Sequence, residues 1–229
     1  MAVLLLGVAV SAQKPAPKPA KPAGPAVQKI REGVYRIGNI EVDTVKREAS
    51  VEAHVNHDVT TLEFVANKIG GAKAYESALT VMTDATTFNA ALLLLGLDPS
   101  HARVPTKHFD SVAPKGDPVE IWVEWMAGGT TPKRIRIEQL LYDNRTKTTL
   151  SEGPWVYTGS SFSNGQYMAE TDGVLIGFVH SPSPIIENPR PGAVDAYGSI
   201  VLNPKLDPAM SLRATLIVKA IGPAPKGKQ

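Results

Sequence analysis

Four polar residues in one short part of the chain have side chains that could carry out chemistry: Glu63, Lys73, Glu76 and Ser77. A lysine beside carboxylates can have its pKa moved when it is desolvated, and a nearby serine could act as a nucleophile. The same residues could instead form a structural ion pair with a capping hydroxyl, since such networks also perturb pKa values. The sequence therefore predicts a compact polar cluster and leaves a catalytic and a structural role open.

A second set of candidates is aromatic: Trp122, Trp155 and Tyr157. Each of these side chains combines an apolar body with a polar tip, a combination suited to a face that binds carbohydrate or peptide. In a β-rich domain with few aromatic residues, the same side chains would instead fill the core. A binding platform and a core position are therefore both open for this set.

The histidines give no pattern typical of a metal site. His54 and His57 are three residues apart, which on a strand places them on opposite faces. His101, His108 and His180 are isolated in the sequence. The absence of cysteine excludes disulfides, thiolate metal sites and a cysteine nucleophile. Without a phosphate loop or dinucleotide fingerprint either, the sequence predicts no metal and no cofactor.

The charge distribution argues against nucleic acid as a partner. The formal net charge is +2, but five lysines lie in the two tails: Lys14, Lys18, Lys21, Lys226 and Lys228. Counted per domain, the body between the tails carries about −3. A groove that follows phosphates needs clustered Lys and Arg with stacking aromatics, and the body has no such cluster.

The N-terminal region predicts export. An uncharged apolar run, Val3 to Val10, precedes small residues that suit cleavage after Ala12. The run is too short to span a bilayer, and Met1-Ala2 carries no positive charge, so a plain apolar N-terminus is the alternative. We expect residues 1–12 to be a signal-like segment that directs the protein to the periplasm or the cell surface.

The remaining chain divides into a tether, one domain and a tail. Prolines alternate with Lys and Ala over residues 13–27, which predicts an extended polyproline II spacer or a disordered leader. Residues 28–222 have the length and composition of a single globular domain. Residues 223–229 are expected to be disordered.

The elements that must position the candidate side chains are mostly strands. Thr60–Ala66 and Tyr75–Met82 flank a turn with Gly70-Gly71, which predicts a hairpin carrying the polar cluster. Glu120–Trp125 alternates, with its apolar side chains on one face. Further strands are predicted at 34–45, 51–55, 134–137, 155–158, 174–180 and 212–221.

One helix is predicted near residues 85–96. Asp84 can cap it, apolar residues recur at helical spacing from Phe88 to Leu95, and Gly96 ends it. Because Leu92 to Leu95 is apolar nearly all round, we expect burial against the sheet. The predicted fold class is α+β and β-dominated: a twisted antiparallel sheet, as a sandwich or open barrel, with this one buried helix.

Four separated segments carry a family resemblance: residues 70–77, 89–97, 153–160 and 187–189. Together they resemble the YdjY-domain family of exported bacterial proteins, whose function is not established. The similarity runs in the same order from about Val34 to Ile221. It implies a single YdjY-like domain and export, and it implies no activity.

One position departs from the family pattern, in which Gly-Gly-Lys is followed by His-Glu-Ser. Lys73, Glu76 and Ser77 match this pattern, whereas Tyr75 stands where the histidine is expected. The upstream pair Glu63-Phe64 matches a Glu-aromatic pair of the family. The substitution argues against a mechanism that uses this histidine as a base or ligand.

We expect a non-catalytic envelope protein that binds a partner protein or a surface or wall glycan. The tether, the mildly acidic body and the lack of a catalytic motif favour this interpretation. The alternative is an envelope hydrolase that uses Lys73, Glu76 and Ser77. The sequence leaves the ligand and the oligomeric state open.

Overall fold

The computed structural model describes residues 24–126, 131–190, 198–207 and 213–222. The predicted signal-like segment 1–12, residues 13–23 of the tether and the tail 223–229 lie outside the described residues.

The described part of the chain forms mainly short strands. In chain order they are β1 Val27–Arg31, β2 Val34–Ile37, β3 Ile40–Asp43, β4 Glu48–Val55, β5 Phe64–Lys68, β6 Ser77–Val81, β7 Asp117–Met126, β8 Pro132–Arg136, β9 Leu141–Asp143, β10 Thr148–Thr149, β11 Trp155–Tyr157, β12 Phe162–Ser163, β13 Gln166–Tyr167, β14 Val174–Gly177, β15 Ile186–Glu187, β16 Ile200–Leu202 and β17 Ala214–Ala220. Two α-helices, α1 Ala85–Leu94 and α2 Met168–Asp172, and 3₁₀ turns at Ala74–Glu76, Pro99–His101 and Ile137–Leu140 complete the described elements.

The main sheet closes on itself as a barrel of eight strands. The order around the ring is β4-β17-β7-β11-β15-β14-β5-β6, and β6 pairs again with β4. Strands β3, β2 and β1 extend from β4, and β8 pairs with β7. The predicted β-dominated α+β class is confirmed, and the sheet is closed where an open barrel or a sandwich was expected.

Most neighbouring strands are antiparallel, but two pairs are parallel: β5 with β6 and β14 with β15. The predicted hairpin is therefore wrong. Phe64 lies opposite Ser77 and Lys68 opposite Val81, so residues 69–76 carry the chain back to the start of β5. The Gly70-Gly71 signal does mark a turn, and the 3₁₀ turn Ala74–Glu76 then redirects the chain.

The turn after β5 packs tightly against the end of α2. A Cβ on Gly173 would lie 2.6 Å from the Cα of Gly71, and Gly173 also has a φ of +78°. The Gly173 carbonyl accepts a hydrogen bond from the Lys68 N–H at 2.7 Å. Only glycine can occupy this contact without moving one of the two backbones.

Helix α1 begins where its cap predicts. The Asp84 carboxylate accepts hydrogen bonds at 2.7 Å from both the N–H and the hydroxyl of Thr87. Glu170 of α2 accepts from the next free helix donor, the Ala85 N–H, at 2.9 Å. Phe88 and Leu92 are buried, whereas Leu93 is 45% exposed, so α1 is buried on one side and not all round.

The core follows the two-residue period of the strands. Ile121, Val123 and Trp125 of β7 are buried, as their alternation predicts. Leu216 and Val218 of β17 lie opposite Val123 and Ile121 and are also buried. Among the described residues, no helix combines the length and the apolar character needed to cross a membrane.

Candidate functional site

The 3₁₀ turn before β6 brings Lys73 and Glu76 together. The Lys73 Nζ lies 2.6 Å from the Glu76 Oε1. This hydrogen bond, with a smaller contribution from the Tyr75 hydroxyl, raises the pKa of Lys73 to about 12. Lys73 therefore stays protonated near neutral pH, and its ammonium cannot accept a proton as a general base would.

Ser77 is held by the main chain. Its side chain is fully buried, and its hydroxyl donates a hydrogen bond to the Lys73 carbonyl at 2.7 Å. A nucleophilic serine instead needs a hydroxyl that donates to a base and faces a substrate. The geometry of Ser77 is that of a hydroxyl cap on the turn.

Glu63 joins this cluster through its backbone. Its N–H donates to the Glu76 carbonyl at 3.0 Å, because β5 and β6 start side by side. Its carboxylate contacts a histidine, since its Oε2 lies 3.2 Å from the His108 Nε2. The structure thus adds His108 to the four predicted residues.

Aromatic rings connect the Lys73–Glu76 ion pair to the contact between Glu63 and His108. The Lys73 Nζ lies 5.6 Å from the centroid of the Tyr75 ring and 6.0 Å from that of Phe64. The Phe64 and His108 ring centroids are 6.4 Å apart. Phe64 is buried, whereas Tyr75 is 66% exposed and presents its ring to solvent. We call this surface the Lys73 face; its members are Glu63, Phe64, Lys73, Tyr75, Glu76 and His108.

The predicted aromatic platform of Trp122, Trp155 and Tyr157 does not form a surface. Trp155 and Tyr157 are fully buried, because β11 points them into the closed sheet. The Tyr157 hydroxyl donates to the Asn89 Oδ1 at 2.7 Å, and burial raises the pKa of Tyr157. Trp122 lies on the opposite face of β7, where the Arg134 guanidinium is 4.7 Å from its ring centroid. Of the two alternatives, the core position therefore holds for Trp155 and Tyr157.

A buried ion network surrounds Trp155. The fully buried Glu138 carboxylate accepts hydrogen bonds from Arg136 at 3.1 and 3.2 Å, from the Arg190 Nη2 at 2.6 Å and from the Trp155 Nε1 at 2.9 Å. Both arginines also donate to the Gly153 carbonyl, at 2.7 and 2.9 Å. We call these residues the Glu138 network; the burial of Glu138 and the number of hydrogen bonds that it accepts indicate a structural role.

A separate cleft of about 560 Å³ opens beside the C-terminal end of α1. In its wall the His101 Nδ1 lies 2.7 Å from the Asp117 Oδ1, and the Asp98 N–H donates to the Asp117 Oδ2 at 2.7 Å. The hydrogen bond with Asp117 raises the pKa of His101. Leu93, Leu97 and Ile221 contribute apolar wall, and we call this the His101 cleft.

The YdjY-domain family model matches residues 40–204. The chain belongs to the YdjY-domain family. The match contains the Lys73 face and the Glu138 network, and it ends before β17. No curated protein and no solved structure matches the chain. The family assignment predicted from the sequence is confirmed.

Two partners in this YdjY domain could not be found from the sequence. His108 pairs with Glu63, and Asp117 with His101, across separations that carry no local pattern. A local sequence signal exists for the neighbouring Asp98, since Asp98-Pro99 is typical of the start of a short turn, and this turn ends at His101. In the part of the chain that the structure describes, no group of three or more His, Asp or Glu side chains is arranged to hold a metal ion.

Proposed function

We propose that this YdjY protein is a non-catalytic binding module of the bacterial cell envelope, and that its Lys73 face recognises a surface or wall glycan. One observation carries the proposal: the exposed Tyr75 ring lies beside the Lys73 ammonium, which is charged near neutral pH. An exposed ring offers an apolar plane for a sugar, and the partly exposed Lys73 ammonium beside it can donate hydrogen bonds to hydroxyl groups.

The protonation state of the cluster supports binding over catalysis. A hydrolase using this site would need a base to activate Ser77, but Lys73 is held protonated by Glu76. The Ser77 hydroxyl already donates to the Lys73 carbonyl and is buried away from any substrate. The alternative of an envelope hydrolase therefore gains no support from this arrangement.

The composition of the face favours a glycan over a partner protein. A protein interface usually has a fully buried apolar core surrounded by a polar rim. On the Lys73 face, only Tyr75 exposes a large apolar surface, since Phe64 is buried beneath it. A single accessible ring among hydrogen-bonding groups fits a sugar unit better than an apolar interface core.

The envelope address is a proposal supported by sequence. The apolar run Val3 to Val10 and the proline-rich residues 13–27 have the order of a signal segment followed by a spacer. Cell fractionation of the full chain with a C-terminal epitope tests it. The proposal predicts a mature protein that starts at Gln13 in the periplasm or at the cell surface. Recovery of unprocessed protein in the cytoplasm contradicts it.

Glycan binding can be tested by co-sedimentation of the purified protein with peptidoglycan sacculi and with cell-surface polysaccharide. We expect specific binding that Tyr75→Ala abolishes. Phe162→Ala is the matched control, because Phe162 is an equally exposed aromatic residue (73%) on the β12–β13 hairpin. Capture of one envelope protein without glycan binding would favour the partner-protein alternative. If the protein binds neither a glycan nor an envelope protein, the proposal of a binding module is refuted.

A further inference from the structure

Two cationic side chains, Arg47 and His101, line the His101 cleft. The Arg47 Nη1 donates to the Gly222 carbonyl at 2.7 Å, but its Nε–H meets no acceptor among the described residues. The His101 Nε2 lies 3.9 Å from the Asp98 Oδ2, which is too long for a hydrogen bond. The His101 side chain is 62% exposed, so water can reach its Nε2, and an acceptor atom of a ligand would replace that water.

The acidic groups of the cleft are already engaged. Asp117 is bound by the His101 ring through one carboxylate oxygen and by the Asp98 N–H through the other. Asp98 accepts from the Ser100 N–H at 2.8 Å. A protonated His101 offsets part of this negative charge, and Arg47 adds a further positive charge. The unmet hydrogen-bonding capacity is therefore on the donor side.

The rest of the wall is apolar. Leu93 of α1 is 45% exposed here, and Leu97 and Ile221 lie beside it. The volume of about 560 Å³ is within the range of pockets that hold small molecules. An apolar wall with donors in its rim is complementary to a molecule with an apolar body and one anionic end.

We infer that the His101 cleft binds a small monocarboxylate with an apolar body. Its carboxylate accepts hydrogen bonds from Arg47 and His101, and its chain packs on Leu93, Leu97 and Ile221. Guanidinium and carboxylate are matched in shape and charge, which makes the hydrogen bond stronger than one to a neutral oxygen. This site shares no residue with the Lys73 face and does not depend on the proposed glycan binding.

The affinity should depend on pH, because His101 donates from Nε2 only when it is protonated. The groups that face it are Asp117 on β7, Asp98 at the start of its own turn, and Arg47 across the cleft. The pKa of His101 is raised, chiefly by its hydrogen bond with Asp117. Binding is therefore strongest at mildly acidic pH and weakens as the pH rises through the pKa of His101.

The test is a methyl-resolved NMR titration of the full chain at about pH 6, where histidine is largely protonated. Octanoate, octanol and octylamine serve as probes with one apolar body and three different head groups. We expect octanoate to shift the methyl signals of Leu93, Leu97 and Ile221. It should bind at least about tenfold more tightly than octanol, because its hydrogen bonds are charge-assisted.

Variants separate the carboxylate contact from the apolar one. Arg47→Gln should bring octanoate down to the affinity of octanol, while Arg31→Gln, on the exposed strand β1, should change nothing. His101→Gln should remove the pH dependence, and it serves as the second variant if Arg47→Gln does not fold. Equal affinity for all probes, methyl shifts elsewhere, no binding, or an unchanged octanoate preference in Arg47→Gln would overturn the inference.

Discussion

The Glu138 network and the Lys73 face are both built from ion pairs beside a main-chain carbonyl, yet they differ in burial. Glu138 is fully buried and accepts from two arginines and an indole. The Lys73 side chain is 35% exposed and is paired with one carboxylate. Charges that are fully buried must keep their partners, whereas the partly exposed Lys73 ammonium can also contact water or a ligand. Burial therefore separates scaffold from candidate binding surface more clearly than residue type does.

The largest effect on stability should come from a substitution in the buried Glu138 network. Glu138→Gln removes the carboxylate charge that Arg136 and Arg190 share, although Arg136 keeps its pair with Glu120, and we expect a loss of about 3–5 kcal/mol in the free energy of unfolding. Urea denaturation measures it. Glu32→Gln is the control, since Glu32 is in a fully exposed pair with Lys29 and should change stability only slightly. A small loss for Glu138→Gln would mean that burial does not distinguish the two regions.

An intermediate effect is expected at Ser77. Ser77→Ala leaves the Lys73 carbonyl without its hydroxyl donor, which should reduce the free energy of unfolding by about 1 kcal/mol. The same urea experiment measures it, and glycan binding should be retained because Ser77 is buried beneath the face. Hydrolytic activity in the wild type that disappears in Ser77→Ala would show that the hydroxyl is a nucleophile instead of a cap.

A smaller effect is expected at Glu76. Because the pKa of Lys73 is raised to about 12 in the folded state, the pair contributes stability that is fully present below the usual value of 10.5 and is lost as the pH rises through 12. Glu76→Gln should return the Lys73 pKa toward 10.5. NMR titration of the lysine side chain checks this shift. An unchanged pKa would mean that another group holds Lys73 protonated.

The smallest effect is expected at the exposed His101. Its raised pKa means that the hydrogen bond with Asp117 contributes stability below about pH 6.5, and that this contribution is lost as the pH rises through the folded-state pKa. His101→Gln should flatten the dependence of Tm on pH over this window. Thermal unfolding between about pH 5 and 9 measures it, with His57→Gln as an exposed histidine control. The same slope in both proteins would contradict the assignment.

Local sequence patterns predicted the elements well but not their partners. Alternation at Ile121 and Val123 and the Asp84 cap each depend on neighbours in sequence, so β7 and the start of α1 were predicted. Gly70-Gly71 marks a turn but cannot tell whether the next strand returns antiparallel or parallel, which is why the hairpin was wrong. Trp155 and Tyr157 are two residues apart and therefore lie on the same face of β11. That face belongs to the core because the sheet closes into a barrel, and no local pattern in the sequence predicts this closure.

The candidate site was likewise predicted only where it depends on residues close in sequence. Lys73, Glu76 and Ser77 lie within one turn, and the sequence therefore grouped them correctly. Their protonation and burial depend on the tertiary structure and could not be predicted. The pairing of Glu63 with His108 depends on two loops that meet only in the folded domain.

The central claim is that the Lys73 face is a binding surface and not part of the scaffold or an active site. Lys73→Met tests it most directly when stability and sacculus binding are measured on the same preparation. We expect an unfolding free energy within about 1 kcal/mol of the wild type, as for partly exposed pairs, together with at least about tenfold weaker binding. A loss of about 3 kcal/mol or more with binding unchanged would make Lys73 part of the scaffold and contradict the claim.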